Sequence, residues 1–421
     1  MQKVKIKSEL NEMNDNLFYR GMKRLFDFLE DLDFKEVKYF IFVFVSLFFV
    51  FIVVFDVLYY NKMVDLKNFK KYVRDCKNLI TYNRNKIYNK HPYLAICLSA
   101  LNMENFIEKN LLSILNQSFQ NFEIIIINDA SIDKTENIIK RIQLDDDRIK
   151  LISHTKNLGV YRSRIESILN TRSEFILLMD PDDMYLNPNL LQELHNQNIK
   201  NNFDIIEFSV FQQFEGRNKI NYPRDDFERH YHKFDKDIIY QPELSNLLFY
   251  LPGTNNYSHT ICRNIWNKLI RKNIFIQTNN YIGKEYYHEF IITADYMIMN
   301  IVSYQFAKNY TNIKIPGYLY IIRKVSMSRG DGGNKLKQIR AMNYLFYFRL
   351  FYKYILDYNK DLNFLFYEMK SLNEFILDVK DNTLNQNMQV LINLIEQILK
   401  EKNISVEFKS YLEKLLLYFK Y

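Results

Sequence analysis

The sequence predicts an α/β fold with a mostly parallel central sheet, and three observations support this prediction. Between residues 91 and 183, short apolar runs alternate with stretches of helical spacing, the order that a parallel sheet with crossover helices produces. The apolar runs are five to seven residues long, which suits buried strands. Acidic residues follow two of these runs directly, so we expect a ligand site at the carboxyl edge of the sheet.

The strands and helices of this region can be assigned in chain order. The predicted strands are 93–99, 122–128, 149–153 and 175–179, and the predicted helices between them are 104–117, a helix capped by residues 131–133 that runs to 142, and 159–169. Right-handed crossovers are expected, because nearly all such strand–helix–strand units have that hand. A further helix is expected over 189–196.

The fourth strand ends in Asp180-Pro181-Asp182-Asp183. Proline cannot continue a central strand, so the chain must turn there and leave three carboxylates at the strand end. Carboxylates this close raise one another's pKa unless a cation neutralises them, and oxygen ligands favour Mg²⁺ or Mn²⁺ over zinc. The alternative is that these residues form only a turn and cap the next helix.

Two further features lie at the same predicted edge. Asp129 follows the second strand, where it can accept from an N–H of a nucleotide base or cap the next helix. Arg162 and Arg164 lie early in the helix after Gly159, two residues apart, so they do not share a face and only one can point at a ligand. No P-loop or dinucleotide-type glycine motif occurs, which argues against those classes.

The composition limits the possible partners. The chain has 421 residues and a net charge of +8, a mild excess compatible with phosphate ligands or an anionic membrane. No basic patch interleaved with aromatic residues occurs, so we expect no nucleic acid partner. The three cysteines have neither metal-site spacing nor the pattern of a disulfide framework.

Residues 37–60 predict a single transmembrane helix. The stretch is almost wholly apolar and has tyrosines near both ends, and a spanning helix needs about 20 such residues. It separates a polar segment, 1–36, from a basic connector, 61–90. The flanking lysines and arginines favour a cytoplasmic C-terminal side only slightly, so the catalytic side stays open: the cytoplasmic face in a bacterium, or a Golgi or ER membrane in a eukaryote.

Residues 92–188 resemble the nucleotide-binding half of family-2 glycosyltransferases, which have the GT-A fold. Four segments in order carry the resemblance: 93–102, 116–133 with Asn128-Asp129-Ala130-Ser131, 157–164 with Asn157-x-Gly159, and 175–185 with the D-x-D sequence. A weaker match continues to residue 329. The expected domains are therefore a GT-A domain over 91–330 and a helical C-terminal region over 331–421.

The resemblance implies transfer of a sugar from a nucleotide donor with inversion, a UDP-sugar being favoured. Asp129 matches the residue that binds the donor base, and Arg164 matches an arginine near the nucleotide. Asp180 and Asp182 match the D-x-D pair, with Asp182 as the direct ligand of Mn²⁺ or Mg²⁺. Asp183 matches an acidic position near the donor sugar.

The resemblance also implies a general base, which takes the proton of the acceptor hydroxyl. Asp295 matches the second member of the family's Glu-Asp pair, but Ala294 replaces the first. Glu289 and Glu285 are alternative bases, and Asp295 can instead serve only to favour the helix N-terminus. Arg323 can close on the diphosphate or lie in a solvated loop.

The sequence thus predicts a membrane-anchored, metal-dependent, inverting glycosyltransferase with a glycan, glycolipid or glycoprotein acceptor. The alternative is a glycosyltransferase-like protein that binds nucleotide sugars or acts as a scaffold at a membrane without turnover. Ala294 and the substituted turn at Ala130 motivate that alternative. A sugar nucleotidyltransferase is disfavoured, because residues 101–105 lack a glycine-rich phosphate loop.

Overall fold

A ten-stranded mixed sheet forms the centre of the described structure. The structure is a computed structural model that describes residues 91–216, 220–221, 238–247, 264–283, 286, 289–323, 333–371 and 385–420. All of these residues lie in the unit Asn83–Tyr421. The predicted polar segment, membrane span and connector, which together comprise residues 1–90, lie outside the described residues. In the part that is described, no helix has the length and apolar character needed to cross a membrane.

The first half of the sheet is parallel, as the alternating pattern predicts. Its strands pair in the order β3-β2-β1-β4, so the carboxyl ends of all four lie at one edge. Alternate residues of β1 pack into two hydrophobic clusters on opposite faces of the sheet. Leu94, Ile96 and Leu98 belong to one cluster, and Ala95 and Cys97 belong to the other. The elements are β1 (Leu94–Ala100), α1 (Ile107–Leu115), β2 (Phe122–Asn128), α2 (Thr135–Gln143), β3 (Ile149–Ser153), α3 (Val160–Leu169) and β4 (Phe175–Met179).

The second half of the sheet is mixed, so the prediction of a mostly parallel sheet is wrong for the sheet as a whole. The order continues β4-β9-β6-β10-β5, and β9 runs antiparallel to both β4 and β6. The reason is topological: β4 and β6 are joined by a parallel crossover, and β9 inserts between them. The elements are β5 (Met184–Tyr185), α4 (Leu190–Asn201), β6 (Ile205–Phe214), β7 (Ile220–Asn221), β8 (Ile238–Tyr240), α5 (Glu243–Leu247), β9 (Lys268–Arg271), α6 (Lys272–Ile282), α7 (Asp295–Phe306) and β10 (Asn309–Ile322).

The predicted C-terminal helices share a core with the sheet. Buried residues of the last helices, such as Phe351, Ile395 and Phe408, belong to the same apolar cluster as Ile165 of α3 and Met297 of α7. This cluster covers one face of the sheet, while α1, α2 and α4 pack on the opposite face. The helices are α8 (Gly333–Asp357), α9 (Asn363–Ser371), α10 (Asn385–Ile398) and α11 (Val406–Lys420).

A buried ion pair joins two strands of the mixed half. Glu207 of β6 and Lys268 of β9 face each other across the ladder, and neither side chain is exposed. Their charged atoms, Oε2 and Nζ, lie 3.4 Å apart. The hydroxyls of Tyr304 and Tyr310 also donate to Oε2 of Glu207, at 3.3 and 3.1 Å. These groups compensate the buried carboxylate in the observed register of β6 and β9.

Candidate active site

The acidic sequence after β4 forms a braced turn. The amide of Asp183 donates to the carbonyl of Asp180 at 3.1 Å, which closes the turn. The side-chain amide of Asn110, on α1, donates to the carbonyls of Asp180 and Asp183 at 3.1 and 2.8 Å. The next helix, α4, begins at Leu190 after its N-cap Asn189, so the three carboxylates do not cap it. The alternative that these residues form a turn is therefore correct for the backbone, and the alternative that they cap the next helix is wrong.

Asp183 fastens this turn to β10. Its side chain is fully buried, and it accepts from the Tyr318 hydroxyl at 2.6 Å and from the Ile321 amide at 2.7 Å. Burial, and then the charges of Asp182 and Asp180, raise the pKa of Asp183 well above its ordinary value. Its predicted role near the donor sugar stays a prediction, but in this structure its carboxylate contacts protein groups.

Tyr318 was not singled out from the sequence, yet it is central to the turn. Besides donating to Asp183, its hydroxyl accepts from the amide of Asp180 at 3.2 Å. Its ring stacks on Trp266, with ring centroids 4.7 Å apart. Because Tyr318 lies within β10, far along the chain from the turn, no local pattern in the sequence could have identified this contact.

Arg164 connects two of the predicted site residues. Its Nη2 donates to Oδ1 of Asp180 and its Nη1 to Oδ2 of Asp295, each at 2.6 Å. Burial alone would lower the pKa of Arg164, but the charges of Asp295 and Asp180 raise it above its ordinary value. The bridge brings the D-x-D turn and the predicted base to opposite sides of one guanidinium group. Sequence reasoning had placed these three residues in one site, and the structure brings them together.

Asp182 pairs with a different arginine. Nε of Arg323, which follows β10, lies 2.5 Å from Oδ2 of Asp182, and the side chains are 18% and 14% exposed. The guanidinium carbon also lies 5.4 Å from the centre of the Phe106 ring. Burial and the neighbouring Asp180 raise the pKa of Asp182 to about 6, although Arg323 acts in the opposite direction. The contribution of Asp180 to this shift agrees in direction with the expectation that closely spaced carboxylates raise one another's pKa.

A cavity of ≈ 190 Å³ opens beside Asp182. It lies between the start of α1, strand β5 and the ends of β6 and β10. Its walls combine aromatic rings, amides, one lysine and two carboxylates. They are formed by Asn105, Phe106, Lys109, Asp182, Met184, Gln213, Phe214, Glu215, Gly216 and Ile321.

Asp129 holds the loop between β3 and α3. Its carboxylate accepts from the amides of Leu158 and Gly159 at 2.8 and 3.0 Å, and Nδ1 of His154 lies 2.7 Å from it. The other ring nitrogen of His154 lies 3.0 Å from Glu166. The alternative that Asp129 caps α2 is wrong, because its carboxylate is engaged with this loop. Its predicted contact with the donor base stays a prediction.

Gly159 allows the start of α3 to approach the segment before α7 closely. Its φ is +89°, and a Cβ added there would lie 2.7 Å from the carbonyl oxygen of Ile291. The amide of Tyr161 donates to that same carbonyl at 3.3 Å. Since α3 carries Arg164 and α7 begins with Asp295, this contact sets the spacing of the bridge described above.

Asp295 opens α7, where a carboxylate is favourable for the helix dipole. It is 3% exposed, and the residue before it, Ala294, has a left-handed φ of 62°. Of the alternative bases, Glu289 lies partly exposed just before this segment, and Glu285 lies outside the described residues. The choice among them stays a prediction; Asp295 is linked to the D-x-D turn through Arg164.

The turn fits a divalent metal ion that arrives with a phosphate ligand. Among the described residues, no three His, Cys, Asp or Glu side chains form a complete metal cage. Mg²⁺, however, is typically held by one or two carboxylates together with substrate phosphates and water. Asp182 offers such a carboxylate, because its side chain is 14% exposed and lines the cavity.

Comparison with known proteins identifies the domain. In fold, the chain is similar to a crystal structure of Staphylococcus aureus TarS 1–349 in complex with UDP-GlcNAc, with a TM-score of 0.50 and 15% identity over 78% of this chain and 89% of that one. The described domain is thus an α/β domain with the GT-A fold. A family model described as "Glycosyl transferase family 2" matches residues 95–266 of this chain. The predicted resemblance is confirmed.

Curated relatives match shorter parts of the chain. An uncharacterized glycosyltransferase of Haemophilus influenzae is 35% identical over 104 residues, which are 25% of this chain and 42% of that protein. The uncharacterized glycosyltransferase EpsJ of Bacillus subtilis is 27% identical over 188 residues, 45% of this chain and 50% of that protein. The chain therefore spans half or less of the length of these two relatives.

Proposed function

We propose that the protein is a glycosyltransferase that moves a sugar from a nucleotide-sugar donor to an acceptor hydroxyl, with inversion at the anomeric carbon. The observation that carries this proposal is the bridge formed by Arg164. It joins Asp180, at the carboxyl end of a parallel strand, to Asp295, at the start of a helix 131 residues from Arg164. The carboxylates that we propose to bind the donor and to accept the proton are thereby linked through one guanidinium group.

The proposed reaction assigns a role to each group. The acceptor oxygen forms a bond to the anomeric carbon as the bond from that carbon to the phosphate oxygen breaks, and the electron pair stays on the nucleoside diphosphate. The acceptor proton passes to Asp295, acting as general base. Arg164 holds Asp295 and Asp180 in fixed positions, and Asp129 is proposed to accept from the donor base.

We propose a UDP-sugar as donor and Mn²⁺ or Mg²⁺ as cofactor, with Asp182 as the protein ligand. The similar TarS structure is a complex with UDP-GlcNAc, and the likeness between the two folds supports a donor of this class. The bound ion would stabilise the charge of the departing diphosphate as a Lewis acid. We further propose a carbohydrate, lipid-linked or protein acceptor and a single membrane anchor at residues 37–60, whose apolar sequence is its support.

The test is a binding and turnover experiment on the full-length chain in detergent. UDP-, GDP-, dTDP- and CMP-sugars are titrated by calorimetry with Mn²⁺ and with chelator, and donor hydrolysis and transfer are then followed across an acceptor panel. We expect one nucleotide class to bind only with metal. We expect Asp182→Asn to abolish this binding and Asp145→Asn, an exposed aspartate on the loop after α2, to leave it unchanged.

Asp295→Asn separates the chemical step from binding. We expect donor binding to remain and transfer to fall by about 10²–10⁴-fold, the usual contribution of a general base. Binding without consumption of donor by the wild-type chain, across the whole acceptor panel, would favour the binding or scaffold alternative. No binding of any donor by a folded chain would refute the proposal.

A further inference from the structure

The two arginines of the site are held in different ways. Arg164 is buried and donates from two nitrogens to two carboxylates, at 2.6 Å each. Arg323 is partly exposed, and its contact with Asp182 is made through Nε. Although Nε lies 2.5 Å from Oδ2, its N–H is not aligned with any hydrogen-bond acceptor in the described residues. Arg164 is thus a fixed element of the site, whereas Arg323 makes a charge contact that can be exchanged.

The position that Arg323 takes is the one that a metal ligated by Asp182 would need. Mg²⁺ binds carboxylate oxygen at about 2.0–2.1 Å, so a metal on Oδ2 and a guanidinium nitrogen at 2.5 Å from the same atom would be two cations in contact. Their mutual repulsion disfavours binding of both cations at Oδ2 at once. Arg323 and a divalent cation therefore compete for the charge of Asp182.

We propose that Arg323 is an exchangeable counter-ion of Asp182, which leaves this carboxylate when a divalent cation binds there and then pairs with the diphosphate of the donor. The inference rests on the proposed function for the identity of the phosphate ligand. A guanidinium group suits this role because its planar donors match phosphate oxygens as well as carboxylate oxygens.

The surroundings of Arg323 allow the movement. The residue follows the last residue of β10, Ile322, so its backbone lies at the end of the ladder. Its guanidinium rests over Phe106, and Phe106 and Asp182 both line the ≈ 190 Å³ cavity. The side chain thus has free volume next to its present contact, and the aromatic face offers it a cation–π contact during the exchange.

Exchange of this kind couples the binding of metal and nucleotide. A divalent cation alone must release Arg323 from Asp182 without offering it a new partner. With UDP present, the released arginine pairs with phosphate oxygens. Each ligand should therefore strengthen binding of the other by the same factor, because coupling free energies are reciprocal.

The test measures Mn²⁺ binding by electron paramagnetic resonance, with and without UDP, on the full-length chain. The wild type is expected to bind Mn²⁺ weakly alone and about tenfold or more tightly with UDP, within the usual range of such coupling. Arg323→Gln removes the competing charge, so it should bind Mn²⁺ alone about tenfold more tightly and gain little from UDP. Arg323→Lys keeps the charge and should resemble the wild type.

Two further variants complete the design. Asp182→Asn should lose Mn²⁺ binding in the wild-type and Arg323→Gln backgrounds alike. Arg141→Gln, which removes an exposed arginine paired with Glu108 on the surface, should change nothing. The far-ultraviolet circular dichroism of each variant reports on folding, and Arg323→Lys tests the charge if Arg323→Gln does not fold.

The outcomes for exchange and for function can be told apart. If Arg323→Gln binds Mn²⁺ alone no more tightly than the wild type, or if Arg323→Lys behaves like Arg323→Gln, the exchange is refuted even when UDP and metal bind. If the wild type binds no UDP under any condition, the proposed function fails. The Mn²⁺ titration without nucleotide still decides whether Arg323 and the metal compete for Asp182.

Discussion

Replacing Gly159 by alanine should damage the site from a position that has no side chain of its own. The residue has a φ of 89° and a ψ of 156°, a region essentially confined to glycine, and holding a residue with a Cβ there costs about 1–3 kcal/mol. The added Cβ would lie 2.7 Å from the Ile291 carbonyl oxygen, a backbone atom, and overpacking of this kind costs about 1–3 kcal/mol. Alanine also lowers the conformational entropy of the unfolded chain, which offsets the loss of stability by about 0.4–1 kcal/mol. We expect a net loss of about 2–4 kcal/mol.

Gly216 provides a matched control. Its φ of +76° is also left-handed, but a Cβ there meets no atom within 4 Å in the described part of the chain. Gly216→Ala should therefore lose only about 1 kcal/mol or less, because it carries the backbone strain without the clash. Urea unfolding of both variants gives the midpoints and slopes from which the two free energies are obtained.

The same pair tests the link to function. Relief of the clash at Gly159 must separate α3 from the segment before α7, and these carry Arg164 and Asp295. Donor affinity, measured without urea at a temperature where both variants are folded, should fall for Gly159→Ala. Equal losses of stability in the two variants would refute the argument that close approach to Ile291, rather than φ, is what requires glycine.

Two other predictions concern buried polar groups. Tyr318→Phe should lower the free energy of unfolding by about 1–3 kcal/mol, because it leaves Asp183 buried without the hydroxyl that donates to it at 2.6 Å. Tyr185→Phe should be neutral or stabilising, since that buried hydroxyl has no partner among the described residues. Equal effects in denaturant unfolding would contradict this account. Lys268→Met should lower the free energy of unfolding by about 3–5 kcal/mol, because it leaves Glu207 as an uncompensated buried charge. Adding Glu207→Gln should recover part of that loss. If the effects of the two substitutions simply add, the argument that the ion pair causes the loss is refuted.

The sequence predicted best those strands and helices whose bounds depend on neighbouring residues in the chain. The strands predicted at 122–128, 149–153 and 175–179 have the same bounds in the structure, because each is an isolated apolar run between polar turns. The helix predicted at 189–196 continues to residue 201, ending at Asn202 in a left-handed conformation. A helix end of this kind depends on one backbone angle, which residue type only favours.

The mixed half of the sheet had no such local signal. Strand β9 is only four residues long, and its place between β4 and β6 depends on pairing with segments far away in the chain. Strand β10 runs for fourteen residues with register shifts against β6, so its side chains do not follow one simple alternation. Pairing partners and register are tertiary properties, and they decided the architecture that the sequence pattern left open.

In the candidate site, too, some features were predictable from the sequence and others depend on tertiary contacts. Their positions after strands predicted that Asp129, Asp180 and Asp182 lie at one edge of the sheet, and the family resemblance implied that Arg164 and Asp295 join them. The sequence could not predict what each carboxylate contacts in the folded chain. Asp183 is one example, since its buried carboxylate accepts from the Tyr318 hydroxyl and the Ile321 amide.

The pairing of acids with arginines explains how so acidic a turn can be stable without a ligand. Asp180 has Arg164 as its counter-ion, and Asp182 has Arg323. Removing either arginine would leave a partly buried carboxylate uncompensated, which is costly. The two pairs differ in burial, however: Arg164 is buried and links Asp180 to Asp295, whereas Arg323 is partly exposed and is the arginine proposed above to exchange its partner. Asp180 and Asp182 are thus each paired with a guanidinium group, and the exchange proposed above would bring the charge of Arg323 to the diphosphate of the donor.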